Sequence, residues 1–310
     1  MTVDEAAMPA PEPQRPSDAS LRPVPPVEGL APGAVRDWLD WGASQLEAES
    51  DSARADAEVL LAALIGVERP QLRLRHEDSL EAATVLRLAS WIERRKLGEP
   101  VAYITTRQGF WTLELAVDTA VLIPRPDTET LVDWALSLLP AGSTARVLDL
   151  GTGSGAIALA VASERPEALI TATDVSGAAL DVARENARLN GLGNVSFADG
   201  AWFAALPAEA APFDLILSNP PYIAEGDAHL AALRYEPRLA LTSGADGFDA
   251  IREIVRDAPK HLKSGGWLLL EHGHDQGAAV RALLEVADFT NIGTRKDFGS
   301  NERVTGGRKP

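Results

Sequence analysis

Cysteine is absent from the 310-residue chain. That absence removes disulfides, thiolate nucleophiles and Cys-based metal sites together, and it fits a reducing, cytoplasmic setting. No run of eighteen uncharged apolar residues occurs, so no membrane-spanning helix is expected. The first residues lack a basic start followed by an apolar stretch, so no secretory signal is expected. Positive charge is in deficit: 29 Lys and Arg stand against 45 Asp and Glu, a formal net charge of -16. So acidic a surface repels phosphate backbones and argues against direct nucleic-acid binding. Histidines are few, and His272 and His274, which flank a glycine, have no third ligand in sight. No metal site is expected from them.

What is present is apolar material, 45% of the chain, enough for a sizeable core. Residues 1–32 are rich in proline, among them Pro9, Pro11, Pro13, Pro16, Pro23, Pro25, Pro26 and Pro32. Such a segment buries too little apolar surface to offset its ordering entropy and reads as a disordered leader. Residues 33–98 read as a small helical domain. Ala57, Leu60, Leu61, Leu64 and Ile65 recur on one helix face before Gly66 stops it. Val85, Leu86, Leu88, Ala89 and Ile92 mark another helix, ending in Arg94, Arg95 and Lys96. This block carries no catalytic constellation and suits a partner-recognition module.

Residues 99–127 read as a linker with a β-hairpin, formed from Gly109 to Val117. One of Phe110 and Trp111 is expected in the core and the other in a pocket wall. Pro124 and Pro126 stiffen the loop around Arg125, which either faces a ligand or pairs with Asp127 or Glu129. Asp127 or Thr128 is a candidate cap for the next helix. From residue 128 to 310 strands alternate with helices. Strands are predicted at Val147–Leu150, Leu169–Thr173, Val195–Phe197, Phe213–Ser218 and Gly266–Glu271, with short ones near Thr290–Lys296 and Val304–Gly306. This is an α/β pattern, a mostly parallel sheet covered on both faces.

Asp149-Leu150-Gly151-Thr152-Gly153-Ser154-Gly155 follows the first of these strands and opens a helix. Its glycines let the backbone approach a ligand, and the helix start offers free N–H groups. By itself the loop suits nicotinamide, flavin or S-adenosylmethionine equally. Asp174 ends the next strand, 21 residues after Gly153, where a carboxylate accepts hydrogen bonds from ribose hydroxyls or caps a helix.

Asn219-Pro220-Pro221-Tyr222 follows the fourth strand, and in an open α/β sheet chemistry gathers beyond the strands' carboxyl ends. A conjugated NH2 group is a poor nucleophile because its lone pair is delocalised. Two acceptors aimed at its N–H bonds orient it and raise its electron density. The Asn219 side-chain oxygen and the Pro220 carbonyl are such a pair, the second held by two consecutive prolines. Tyr222 offers a flat ring to a planar group. Positioning of this kind lowers a barrier by ~7–11 kcal/mol without a metal. A Pro-rich turn capping a strand would explain the prolines but not the flanking Asn and Tyr.

At this point the chain resembles the HemK/PrmC family of glutamine methyltransferases that modify peptide-chain release factors. Residues from about Asp56 to Arg308 carry the likeness: Gly98 to Ile104, Leu122 to Glu129, Asp149 to Gly155, Asn219 to Tyr222, Tyr235-Glu236-Pro237, Leu270 to Gly273 and Asn301 to Val304. The resemblance implies a Rossmann-like class I S-adenosylmethionine-dependent methyltransferase sheet with a small N-terminal helical domain that grips the release factor. It implies that Gly151, Thr152, Gly153, Ser154, Gly155, Asp174 and Asn219 contact S-adenosyl-L-methionine, and that Asn219, Pro220, Pro221 and Tyr222 hold the acceptor glutamine. Trp202 matches an aromatic that lies near the adenine. An acid can precede that aromatic in the family; here Ala201 does, and Asp199 is the candidate substitute. A cytoplasmic monomer acting on the Gly-Gly-Gln glutamine of release factors is the leading expectation. The alternatives are a ribosomal-protein glutamine methyltransferase, a nucleic-acid N6-adenine methyltransferase, and a non-catalytic release-factor or ribosome binder. A hydride-transferring oxidoreductase would share the glycine loop but has no use for Asn-Pro-Pro-Tyr.

Overall fold

The computed structural model describes residues 33–310, so the expected leader lies outside the described residues. The chain divides into two compact units, one ending at Gly98 and the other spanning Glu99–Pro310.

The first unit packs three helices, α1 (Val35–Leu46), α2 (Ala53–Ile65) and α3 (Ala82–Lys96). Their apolar stripes meet at Trp38, Leu39, Leu60, Leu61, Leu88 and Ile92, all nearly inaccessible to solvent. Each such burial stabilises the unit by about 1.5–3 kcal/mol relative to exposure. Gly66 ends α2 in the left-handed conformation, and its N–H is bonded to Ala62 O. The basic cluster occupies the last turn of α3. Arg95 also reaches back to Asp56 at 2.8 Å, tying α3 to α2.

The second unit opens with a short helix, α4 (Val101–Thr105), and a hairpin of β1 (Arg107–Phe110) and β2 (Leu113–Ala116). The alternating elements that follow are α5 (Glu129–Leu138), β3 (Arg146–Leu150), α6 (Ala156–Glu164), β4 (Leu169–Asp174), α7 (Gly177–Leu189) and β5 (Val195–Asp199). They continue through β6 (Phe213–Ser218), α8 (Asp249–His261), β7 (Leu262–Glu271), α9 (Gly277–Val286), β8 (Thr290–Lys296) and β9 (Glu302–Arg308). The sheet order is β5-β4-β3-β6-β7-β9-β8. Strands β3 to β7 are parallel, and β9 and β8 close the edge antiparallel. This is an open, mostly parallel, Rossmann-like α/β sheet. α6 is apolar on all sides and buried from Ala156 to Ala162, as a helix enclosed by sheet and neighbouring helices must be.

Several strand boundaries differ from the sequence reading, β5 for one running on to Asp199 and β9 starting at Glu302. β7 begins at Leu262, not Gly266, because Leu262 pairs with Phe213 across a register shift and the exposed Lys263 and Ser264 still run as strand. β9 extends to Arg308, paired with Trp267. The hairpin segment belongs to the second unit. Asn186 of α7 exchanges hydrogen bonds with both the N–H and the carbonyl of Ala116 in β2, and its amide nitrogen also donates to Ser154 O at 2.9 Å.

Candidate functional site

β3 is central, with β4 on one side and β6 on the other, so the chain reverses its direction of winding there. That switch point opens a crevice at the strands' carboxyl ends. The glycine loop leaves β3 and the Asn219–Tyr222 segment leaves β6, and the two strands end as a pair, Leu150 opposite Ser218. The Ser218 hydroxyl donates to Leu150 O at 2.7 Å, fixing the two exits together.

A cavity of about 430 Å³ fills the crevice. Gly151, Thr152, Gly153, Ser154, Asp174, Trp202, Asn219 and Pro221 all line it, so the structure brings most of the sequence-derived site together. Gly155, Pro220 and Tyr222 do not line it. Gly155 instead caps the start of α6 at φ 85°, against Leu159 and Ala183.

The loop is held from beneath. Gly151 N and Thr152 N both donate to Thr173 O at 2.9 Å. Asp149 is fully buried under it, with Oδ2 accepting from the Thr152 hydroxyl at 2.6 Å. Burial pushes the Asp149 carboxyl up to about 7, against the pull of the Thr152 bond. Above the loop, Gly153 leaves open space where a Cβ would stand. Gly151 has no such freedom, because at φ 70° a Cβ there would come within 3.2 Å of the Trp202 ring.

Asp174 accepts from Gly153 N at 2.8 Å and Ser176 N at 2.9 Å. It does not cap α7; Ser176 does, accepting from Ala179 N. Trp202 stands at φ 46°, a conformation that costs a bulky residue energy and is imposed by its surroundings. Asp199 is exposed and absent from the cavity lining.

On the opposite wall the Asn219 amide nitrogen lies 3.4 Å from the Thr128 hydroxyl oxygen. Asn219 Oδ1 and the Pro220 carbonyl have no hydrogen-bond partner among the described residues. Tyr222 packs against the core on the β7 side, and burial pushes its phenol up to about 12. The Arg303 guanidinium lies beside its hydroxyl, and its carbonyl accepts from Gln276 at 3.0 Å.

Other expectations are corrected. Phe110 is core, but Trp111 packs on the same core and donates its indole N–H to Glu164 at 2.9 Å, so neither walls the cavity. Neither Asp127 nor Thr128 caps α5 through its side chain. Arg125 lines the cavity and pairs with Glu236 rather than with Asp127 or Glu129. The His272 ring, whose pKa burial lowers, is engaged by Gly273 O and the Thr305 hydroxyl. The sequence marks Thr128 only as a candidate helix cap, and Glu271 and Arg303 only as parts of matching stretches, although an acid ending the apolar run Leu268-Leu269-Leu270 is a signal worth reading.

The fold and the paired exits define a class I methyltransferase. A crystal structure of a methyltransferase from Pyrococcus furiosus shares the architecture, with a TM-score of 0.50 at 19% identity over 70% of this chain and 96% of its own. The PrmC N-terminal domain model matches residues 37–105, and the methyltransferase small domain model matches residues 129–235. The release factor glutamine methyltransferase of Xylella fastidiosa is 52% identical over 83% of this chain and 94% of its own length. That of Pseudomonas aeruginosa is 51% identical over 84% and 94%. The chain belongs to the release factor glutamine methyltransferase family.

Proposed function

We propose that this protein methylates the side-chain amide nitrogen of the glutamine in the Gly-Gly-Gln motif of peptide chain release factors, using S-adenosylmethionine. The supporting observation is Asn219, which lines the cavity with its Oδ1 unengaged and is followed directly by Pro220, whose carbonyl also has no partner among the described residues. A flat NH2 group has two N–H bonds, and two adjacent acceptors suit it.

The cavity fits the cofactor by charge and shape. Its ionisable lining is Asp174, Asp249 and Glu253 against Arg125 alone, and Arg125 is already paired with Glu236. That lining favours a cationic ligand. Bound S-adenosylmethionine supplies an electrophilic methyl group on a sulfonium. Gly151–Ser154 present backbone to it, with Gly155 starting α6. Asp174, steadied by two backbone N–H groups, keeps lone pairs for ribose hydroxyls. Trp202 offers a flat wall for the adenine.

On the acceptor side Asn219 and Pro220 orient the glutamine nitrogen and increase its electron density. Pro221 shapes the cavity, and Tyr222 is the ring against which the planar amide lies. The helical unit before Gly98 grips the release factor. The test is methyl transfer from labelled cofactor to purified release factor, followed by mass mapping. Label on the Gly-Gly-Gln glutamine supports the reading, and label confined to nucleic acid or a ribosomal protein overturns it.

A further inference from the structure

The Asn219 carboxamide works as an acceptor only if its oxygen faces the cavity, and we infer that Glu271 sets that orientation as a positioning residue. The inference rests on the acceptor role proposed for Asn219. A carboxamide keeps almost the same shape when its oxygen and nitrogen exchange places, so packing alone does not choose between them. Thr128 does not choose either, because a hydroxyl both donates and accepts.

Glu271 does choose. It ends β7, beside the end of β6 that carries Asn219, with Leu270 paired to Ser218. Only 2% of it is exposed, and it takes no part in the cavity wall. Its carboxyl faces the Thr128 hydroxyl and the Asn219 amide, and its Oε2 has no partner among the described residues. An ionised carboxylate only accepts, so it attracts Asn219 Nδ2 and repels Oδ1. The reversed amide would set the Asn219 oxygen against a buried carboxylate oxygen. The oxygen is thereby turned to the cavity.

Burial raises the Glu271 carboxyl to about 7, opposed by Thr128, Arg303 and Asn219 and reinforced by Asp127. The Tyr222 phenol also faces it, and Asp297 stands behind Arg303 at 3.0 Å. Once protonated, Glu271 gains a donor and accepts either amide orientation.

The test compares Glu271→Gln, Glu271→Asp and Asn219→Ala by steady-state methyl transfer to release factor, with cofactor affinity measured by calorimetry. Glutamine pairs with either amide orientation, so kcat is expected to drop by about tenfold or more while cofactor Kd stays within about threefold. The rise of kcat across neutral pH disappears in Glu271→Gln. Glu271→Asp, still an acceptor only, outperforms Glu271→Gln at alkaline pH. The double variant with Asn219→Ala is no slower than Asn219→Ala alone, because Glu271 acts through Asn219. Wild-type kcat and pH profile in Glu271→Gln beside an inactive Asn219→Ala, or multiplied losses in the double variant, would overturn this inference alone. Full turnover by Asn219→Ala would overturn the acceptor reading, and this inference with it.

Discussion

Glu236 holds Arg125 across 111 residues of chain, its side chain almost fully buried while the guanidinium it binds lines the cavity. The same carboxylate accepts from Ile123 N at 3.1 Å, so it clamps the Pro124-Arg125-Pro126 loop at its base and at its tip. Removing it leaves a buried N–H unpaired and frees the guanidinium. Glu236→Ala is expected to cost about 2 kcal/mol and to raise KM more than it lowers kcat. Thermal unfolding and steady-state kinetics check this; an unchanged midpoint contradicts it.

Gly151 is the point where the cofactor loop presses against the Trp202 ring. Gly151→Ala adds a Cβ at positive φ and against the Trp202 ring, so both the loop and the indole must move. Cofactor affinity measured by calorimetry is expected to weaken by about tenfold or more, roughly 1.4 kcal/mol. The opposite case is Gly191, also at positive φ but with nothing within 4 Å; Gly191→Ala is expected to leave cofactor affinity unchanged.

Asp174→Asn tests the ribose contact. An asparagine oxygen replaces one of two acceptors, and its NH2 faces a backbone N–H that had been a donor to carboxylate. Cofactor Kd is expected to rise by about 10–100-fold, a loss of about 1.4–2.7 kcal/mol, with kcat at saturation changing far less. A kcat loss at saturating cofactor that exceeds the Kd effect contradicts the assignment.

The buried acids make a pH prediction with a definite sign. Glu271 is raised to about 7 by burial, so between its ordinary value and neutrality the folded chain holds a proton that the unfolded chain has released. Stability from this group therefore decreases as pH rises through that window. Glu271→Gln has no charge to bury, and its thermal midpoint is expected to gain on the wild type steadily from about pH 4.5 to about pH 8. Asp149→Asn behaves the same way for the same cause. Parallel melting curves for variant and wild type across this range contradict the prediction.

The parts of the site legible in the sequence are those whose geometry is local. A glycine loop between an apolar strand and a helix announces itself in the sequence, as Gly151 to Gly155 do, and consecutive prolines fix the Asn219–Tyr222 exit. What stayed hidden arrives by tertiary contact. Thr128 meets Asn219 from 91 residues away, and Arg303 reaches both Asp127 at 3.3 Å and Asp297 from the sheet's antiparallel edge. One of Phe110 and Trp111 is expected in a pocket wall because alternation marks a face without saying what covers it; at Trp111 the indole is met by Glu164 of α6. The start of β7 is not legible in the sequence because Lys263, Ser264 and Gly265 carry a turn's composition while the backbone there still runs as strand.

The central claim is geometric, and a crystal structure with the demethylated cofactor product and a Gly-Gly-Gln peptide tests it most directly. Asn219 Oδ1 and Pro220 O are each expected about 3 Å from the glutamine amide nitrogen, with that nitrogen turned to the cofactor's sulfur. A glutamine seated elsewhere, or an Asn219 that presents its NH2 to the peptide, would contradict it.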